Sequence, residues 1–165
     1  ITSLYGQKFS LIDGGVYANN PALCAYAEAR KVPFSKVLNK PEKPNFPTIK
    51  QMFIVSISTG TIVESYSYED FKHAGKIEWV QTIIDMLLSS NAESVDYQLR
   101  QMYKSLGARN QKNYYRLSPD LHKASPEMDN VTPENIENLI QAALCYIDDH
   151  RETLDEIVKK LIKNQ

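Results

Sequence analysis

Hydrophobic positions change their period several times along the chain, and each change marks an element. Residues 9–12, Phe-Ser-Leu-Ile, predict a strand that runs straight into Asp13, Gly14 and Gly15. Asn20 reads as an N-cap and Pro21 as the first helical position, where a missing N–H costs nothing, so a helix is predicted from there to about Arg30. Residues 31–50 hold Pro33, Pro41, Pro44 and Pro47 among lysines and asparagines, the mark of an irregular connection. Residues 52–58 form a nearly unbroken apolar run rich in β-branched side chains, as expected of a parallel-sheet strand buried on both faces, and Thr59-Gly60 ends it. Residues 61–75, with Tyr66, Tyr68 and Phe71 among many charges, have no clear period and predict a mobile loop.

From Ile77 the period is helical. Ile77, Val80, Ile84, Leu87 and Leu88 make one stripe, and Val95, Leu99, Met102 and Leu106 the stripe of another helix that Gly107 ends. Both stripes are predicted core. A short strand is predicted over residues 114–117 and a polar loop over 119–130. Thr132 and Pro133 repeat the cap logic of Asn20 and Pro21, and the helix they start carries Ile136, Leu139, Ile140, Ala143, Leu144 and Ile147 on its apolar face. A last amphipathic helix holds Leu154, Ile157, Val158, Leu161 and Ile162. Its charges mix both signs, which suits a packed helix better than the basic polar face of a membrane-surface helix, although peripheral membrane contact is compatible with it.

Composition narrows the function classes. With 165 residues, 42% apolar and 24% charged, the chain is an ordinary globular domain large enough for a real core. A formal net charge of -1 gives no electrostatic case for nucleic acid. No run approaches the roughly 20 apolar residues of a membrane span. Cys24 and Cys145 are too few for a disulfide framework; both fall in apolar helical patterns and read as buried free thiols, with a reducing cytoplasm as the default location. His73, His122 and His150 lack acidic or metal-ligand partners at diagnostic spacing, and no metal, nucleotide or other cofactor motif is visible.

The candidate chemistry is concentrated at the first predicted strand's end. In open α/β sheets ligands bind beyond the carboxyl ends of the strands, so Asp13 is placed to act as a base, with Gly14 and Gly15 supplying the turn, by positive φ or by room for close approach. The plain alternative is that Asp-Gly is a turn dipeptide whose carboxylate caps nearby amides. Tyr17, beside this turn, suits either an acyl pocket or the core, and Arg116 either a buried carboxylate or a phosphate headgroup. Asp96 and Asp129 read as capping and surface carboxylates. Ser56-Ile57-Ser58-Thr59-Gly60 has a superficial likeness to a nucleophile elbow, but its first position is Ser, and polar residues follow where an elbow opens a helix. Ser58 is therefore read as a turn residue.

Asp13-Gly14-Gly15 followed by Asn19-Asn20-Pro21-Ala22 resembles the second catalytic motif of the patatin-like phospholipases. Further blocks resemble the same family: Ile54 to Thr61, with Ser58 in place of the first glycine of Gly-Thr-Gly; Trp79 with Ile84-Asp85-Met86-Leu87; Ser94 to Leu99; Asn113 to Leu117; and Met128-Asp129 through Asn135. The resemblance implies an α/β fold of mostly parallel strands flanked by helices, with residues 1–165 the C-terminal portion of a single patatin-like domain. The Gly-rich oxyanion loop and Gly-x-Ser-x-Gly elbow, which precede the Asp-Gly-Gly motif in the family, are not in this sequence, and it opens with Ile1.

What the resemblance implies for function is a lipid acyl hydrolase using a Ser-Asp dyad without histidine, of which this chain supplies Asp13, with no cofactor and a lipid or acyl-ester substrate. A carboxylate is a weak base for a hydroxyl, so such a dyad calls for short contact and a desolvated setting. Two other readings stand beside it: a catalytically silent or severed half acting through binding or assembly, and a bacterial phospholipase activated by cyclic dinucleotides, whose block matching Ser94 to Leu99 is as similar as that of the plant proteins. The expected partner is the missing N-terminal half. Without it, strands with open apolar edges favour self-association.

Overall fold

The computed structural model describes residues 6, 8, 11–61, 72 and 75–164. In chain order its elements are α1 (Gly15–Ala18), α2 (Ala22–Ala29), α3 (Phe34–Val37), a 3-10 turn (Ile49–Gln51), β1 (Ile54–Ile57), α4 (Lys76–Ser105), α5 (Ala108–Gln111), β2 (Tyr114–Leu117), α6 (Pro133–Asp149) and α7 (Arg151–Lys163). The fold is α/β: β1 and β2 form a parallel two-stranded sheet flanked by helices. Its ladder runs through Ile54 N–H to the Asn113 carbonyl at 2.9 Å and Ser58 N–H to the Leu117 carbonyl at 2.8 Å. The chain divides into two compact units, Ile1–Ile54 with Ser67–Tyr114 and Val55–Tyr66 with Tyr115–Gln165.

The first unit is organised by α4, a single helix of 30 residues. Two helices are expected here from two stripes, but neither Gly nor Pro falls between Lys76 and Leu106, and Leu88 and Val95 lie two turns apart on one face, so the stripes join in phase. Gly107, at φ 90°, follows its end. In the second half of α4 the expected stripe is the inner one: fully buried Leu99 and Tyr103 pack with Ala22 and Tyr114, and Val95, Met102, Leu106, Leu23, Ile49 and Ile54 surround them. Tyr103 stacks on Tyr114 with ring centres 6.0 Å apart, and its hydroxyl donates to the Met52 carbonyl at 3.1 Å. In the first half most of the expected stripe is left uncovered. Thr82 is buried and Leu88 half-buried, while Val80, Ile84 and Leu87 of the expected stripe are exposed.

The strand expected over residues 9–12 is not a strand where it is described. Leu11 and Ile12 lie in irregular, exposed chain, since a strand exists only as a rung of a ladder and these two pair with none among the described residues; residues 9 and 10 lie outside the description. The loop expected over 61–75 lies mostly outside it too. The N-cap of α2 is Pro21, whose carbonyl accepts the Ala25 N–H at 2.9 Å, one residue later than expected. Asn20 still satisfies a helix-end donor, since its Oδ1 accepts the Ala22 N–H at 3.2 Å. The irregular stretch 31–50 contains α3, and Thr48 and Gln51 form a capping box around the 3-10 turn.

In the second unit β1 is shorter than the run that predicts it, and Ile57 is exposed, so the strand is not buried on both faces. Thr61 extends the pairing through a parallel bridge to Asp120. Gly60 there has φ 119°, and a Cβ on it would overlap the Leu121 side chain, so only glycine fits. Helix α6 starts as its sequence dictates, with Thr132 Oγ1 accepting the Asn135 N–H at 3.3 Å and Pro133 at the first position. Its inward line, however, is Asn135, Asn138, Leu139, Ala142 and Tyr146, and Ile136, Ile140, Leu144 and Ile147 are exposed. The expected face is rotated by about one residue, roughly 100°. Cys145 and, on α2, Cys24 fall on outward faces and are exposed free thiols, not buried ones.

Candidate active site

Asp13 follows irregular chain and is itself exposed. Its Oδ1 accepts the Gly15 N–H at 2.6 Å, a short charge-assisted bond that fixes the carboxylate over the start of α1. Among the described residues Oδ2 has no hydrogen bond, which leaves that oxygen open to a proton donor. Gly14 has ordinary helical angles, φ -64° and ψ -24°, so no positive φ is needed at this turn. What Gly15 supplies is room: a Cβ there would come within 2.9 Å of Asp13 Oδ1. The turn closes with Tyr17 N–H and Ala18 N–H both on the Gly14 carbonyl, at 3.0 and 2.9 Å. Tyr17 points into neither a core nor a pocket here, being 82% exposed. The desolvated setting expected for the dyad is likewise not present around Asp13 in this chain.

One turn further on, the segment is held against α4. Asn20 is completely buried, with Nδ2 donating to the Ala92 carbonyl at 3.2 Å. Asn19 donates from Nδ2 to the Leu88 carbonyl at 3.1 Å and from its backbone N–H to Asn91 Oδ1 at 3.2 Å. Thus Asp13, Gly14 and Gly15 are a capped turn on an anchored segment.

In the second unit, Ser58 Oγ lies 2.8 Å from Ser118 Oγ and accepts the Gly60 N–H at 3.1 Å. A hydroxyl spent this way shapes a turn. Arg116 donates to Ser56 Oγ at 2.7 Å, so what it meets is a buried strand hydroxyl and not the carboxylate considered from sequence.

The chain is 30% identical over 161 residues to Patatin-like protein 2 of Oryza sativa subsp. indica, covering 90% of this chain and 38% of that relative. It is 33% identical over 145 residues to Patatin-like protein 3 of Arabidopsis thaliana, covering 82% and 33%. Patatin-08 of Solanum tuberosum is 28% identical over 171 residues, covering 94% and 42%. The chain belongs to the patatin-like family. No family model matches it. This patatin-like chain spans about two fifths or less of the length of these curated relatives.

Other polar groups of the patatin-like chain tie elements together within their own units. Asp96, read from sequence as a surface carboxylate, is largely covered: Oδ2 accepts Arg100 Nε and Oδ1 accepts the Tyr114 hydroxyl, both at 2.8 Å. The Asp96-Arg100 spacing of four was a visible signal; the bond to Tyr114 was not. His122 lies 3.7 Å from Asp120, and His150 stacks on Tyr146 at the junction of α6 and α7 with centres 4.0 Å apart. His73 lies outside the described residues. Among the described residues no cluster of His, Cys, Asp and Glu is arranged to hold a metal ion, and no helix is long and apolar enough to cross a membrane.

Tyr115 donates to Glu156 Oε2 at 2.7 Å, joining β2 to α7, and Lys160 Nζ lies 5.1 Å over its ring. Burial, with the bond to and charge of Glu156, pushes its phenol up to about 12; burial and then Tyr26 do the same for Tyr103. Folded values above the unfolded value near 10 mean that both groups support the fold fully below pH ~10 and lose that support as pH rises toward about 12. Urea midpoints should therefore fall across that window, and Tyr115→Phe should flatten the fall. Identical pH profiles for the two proteins would show that Tyr115 titrates as it does in the unfolded chain.

Proposed function

We propose that this chain is the portion of a patatin-like lipid acyl hydrolase that supplies the Asp of a Ser-Asp dyad, with Asp13 as the base. What supports the reading most is the pairing of family membership with the turn around Asp13, where one carboxylate oxygen is tied to Gly15 and the other is open. Asp13 takes the proton of a serine hydroxyl as its oxygen attacks an ester carbonyl carbon, and the proton passes to the leaving alcohol when the tetrahedral intermediate collapses. Asp13 then takes a proton from water as its oxygen attacks the acyl-enzyme carbonyl; the bond to the serine oxygen breaks, Asp13 returns the proton to that oxygen, and the fatty acid leaves. The serine and the oxyanion donors come from outside residues 1–165, and closure of that surrounding part over Asp13 supplies the desolvation that an exposed carboxylate lacks.

The 165-residue chain alone should then hydrolyse no acyl ester, because the oxyanion donors that carry much of the rate are absent from it. The full-length gene product should hydrolyse a generic acyl ester and be labelled by a serine-directed fluorophosphonate. Turnover by the chain alone would mean a nucleophile within it, with Ser58 the first to be replaced by Ala. A full-length product that neither turns over nor labels would favour the silent, binding reading.

A further inference from the structure

Asn91 sits where a helix gains nothing from it. Asn is a poorer helix former than Ala because its short amide competes for backbone groups, yet it occupies the middle of α4 on the half-buried line. Its amide is spent on a distant part of the chain: Oδ1 accepts the Asn19 backbone N–H at 3.2 Å and Nδ2 donates to the Tyr17 carbonyl at 3.4 Å. Asn19 returns a bond of its own to the Leu88 carbonyl, one turn earlier on α4. The clasp holds the last residues of α1, a helix of only 4 residues whose first N–H, that of Gly15, is bound to Asp13.

We infer that Asn91 is a positioning residue that sets the aim of the Asp13 carboxylate. The lever between them is one hydrogen-bonded turn, so a shift at residues 17–19 moves residue 13 with it. Attachment of the segment to α4 does not depend on Asn91, because the buried Asn20 amide bonds the Ala92 carbonyl independently. Stability and aim are thereby separable. The inference rests on the hydrolase reading above, in which Asp13 is the base.

The test compares Asn91→Ala, Asn91→Asp and Asp13→Asn in the full-length gene product. The readouts are kcat and KM on a soluble acyl ester, the melting temperature, and amide hydrogen exchange at residues 15–19. Asn91→Ala should lower kcat about tenfold, since about 1 Å of misplacement costs up to 10²-fold. KM should stay within about twofold, as for an interaction made in the transition state only. The melting temperature should hold or rise, because Ala is the better helix former, and exchange at residues 17–19 should quicken. Asn91→Asp keeps an acceptor for the Asn19 N–H and should recover most of the rate.

Wild-type kcat in Asn91→Ala, with Asp13→Asn inactive, overturns the positioning role and leaves the hydrolase reading standing. A joint loss of kcat and melting temperature, not rescued by Asn91→Asp, reduces Asn91 to structural glue. If Asp13→Asn turns over like wild type, the base assignment fails and this inference falls with it.

Discussion

Asp13→Asn in the full-length gene product should fold and melt as wild type does while turnover falls by roughly 10²–10⁴-fold, the usual worth of a positioned general base. The amide oxygen still accepts the Gly15 N–H, which is the one bond the side chain makes among the described residues, so the turn keeps its cap. What it loses is the capacity to accept a proton. A turn-capping role predicts the reverse, a rate hardly changed and a small shift in melting. Both quantities measured on one preparation separate the cases, and near-wild-type turnover with an unchanged melting curve would remove Asp13 from the mechanism.

Leu99→Ala should be the most damaging single truncation in the first unit, at about 3 kcal/mol, within the 2–5 kcal/mol range for deleting a buried leucine. Leu99 is completely buried in the cluster that joins α2, α4 and the start of β2, together with Tyr103, Tyr114 and Ala22. The tyrosines cannot collapse into the void, because Tyr103 is tied to the Met52 carbonyl and Tyr114 to Asp96. At about 2–4 °C per kcal/mol, the melting temperature should drop by roughly 6–12 °C. A loss under about 2 °C would mean that α4 is not packed here as described; Leu99→Met, which keeps the volume, should cost under about 1.5 kcal/mol.

Local signals were the legible ones. Thr132 and Pro133 start α6 because capping needs only the next few residues, and β2 falls on residues 114–117 because Tyr114, Tyr115 and Leu117 are strand formers between polar ends. The inward face of α6 was not legible. Ile136, Leu139, Ile140, Ala142, Ala143, Leu144 and Ile147 put apolar groups around much of its circumference, so the period names a helix without naming which line meets the core. The first half of α4 misled in the same way. At the candidate site, Asp13, Gly14 and Gly15 were legible as a motif, but the reason for Gly15 was not: it is closeness to the Asp13 carboxylate, which a side chain there would displace, and not a positive φ. Asn91 was invisible, since its bonds reach 72 and 74 residues back.

The outward apolar stripes of α4 and α6 also have a calorimetric consequence. The heat capacity increment of unfolding comes mainly from apolar surface newly wetted, about 12–15 cal/mol/K per residue in ordinary domains. Val80, Ile84, Leu87, Ile136, Ile140 and Leu144 are already 44–64% wet in the folded chain. The chain on its own should therefore unfold with an increment below that range and a shallow urea dependence, which scanning calorimetry and urea titration would read as a stability curve flat with temperature. A surface that covered those stripes would steepen the curve as well as raise it.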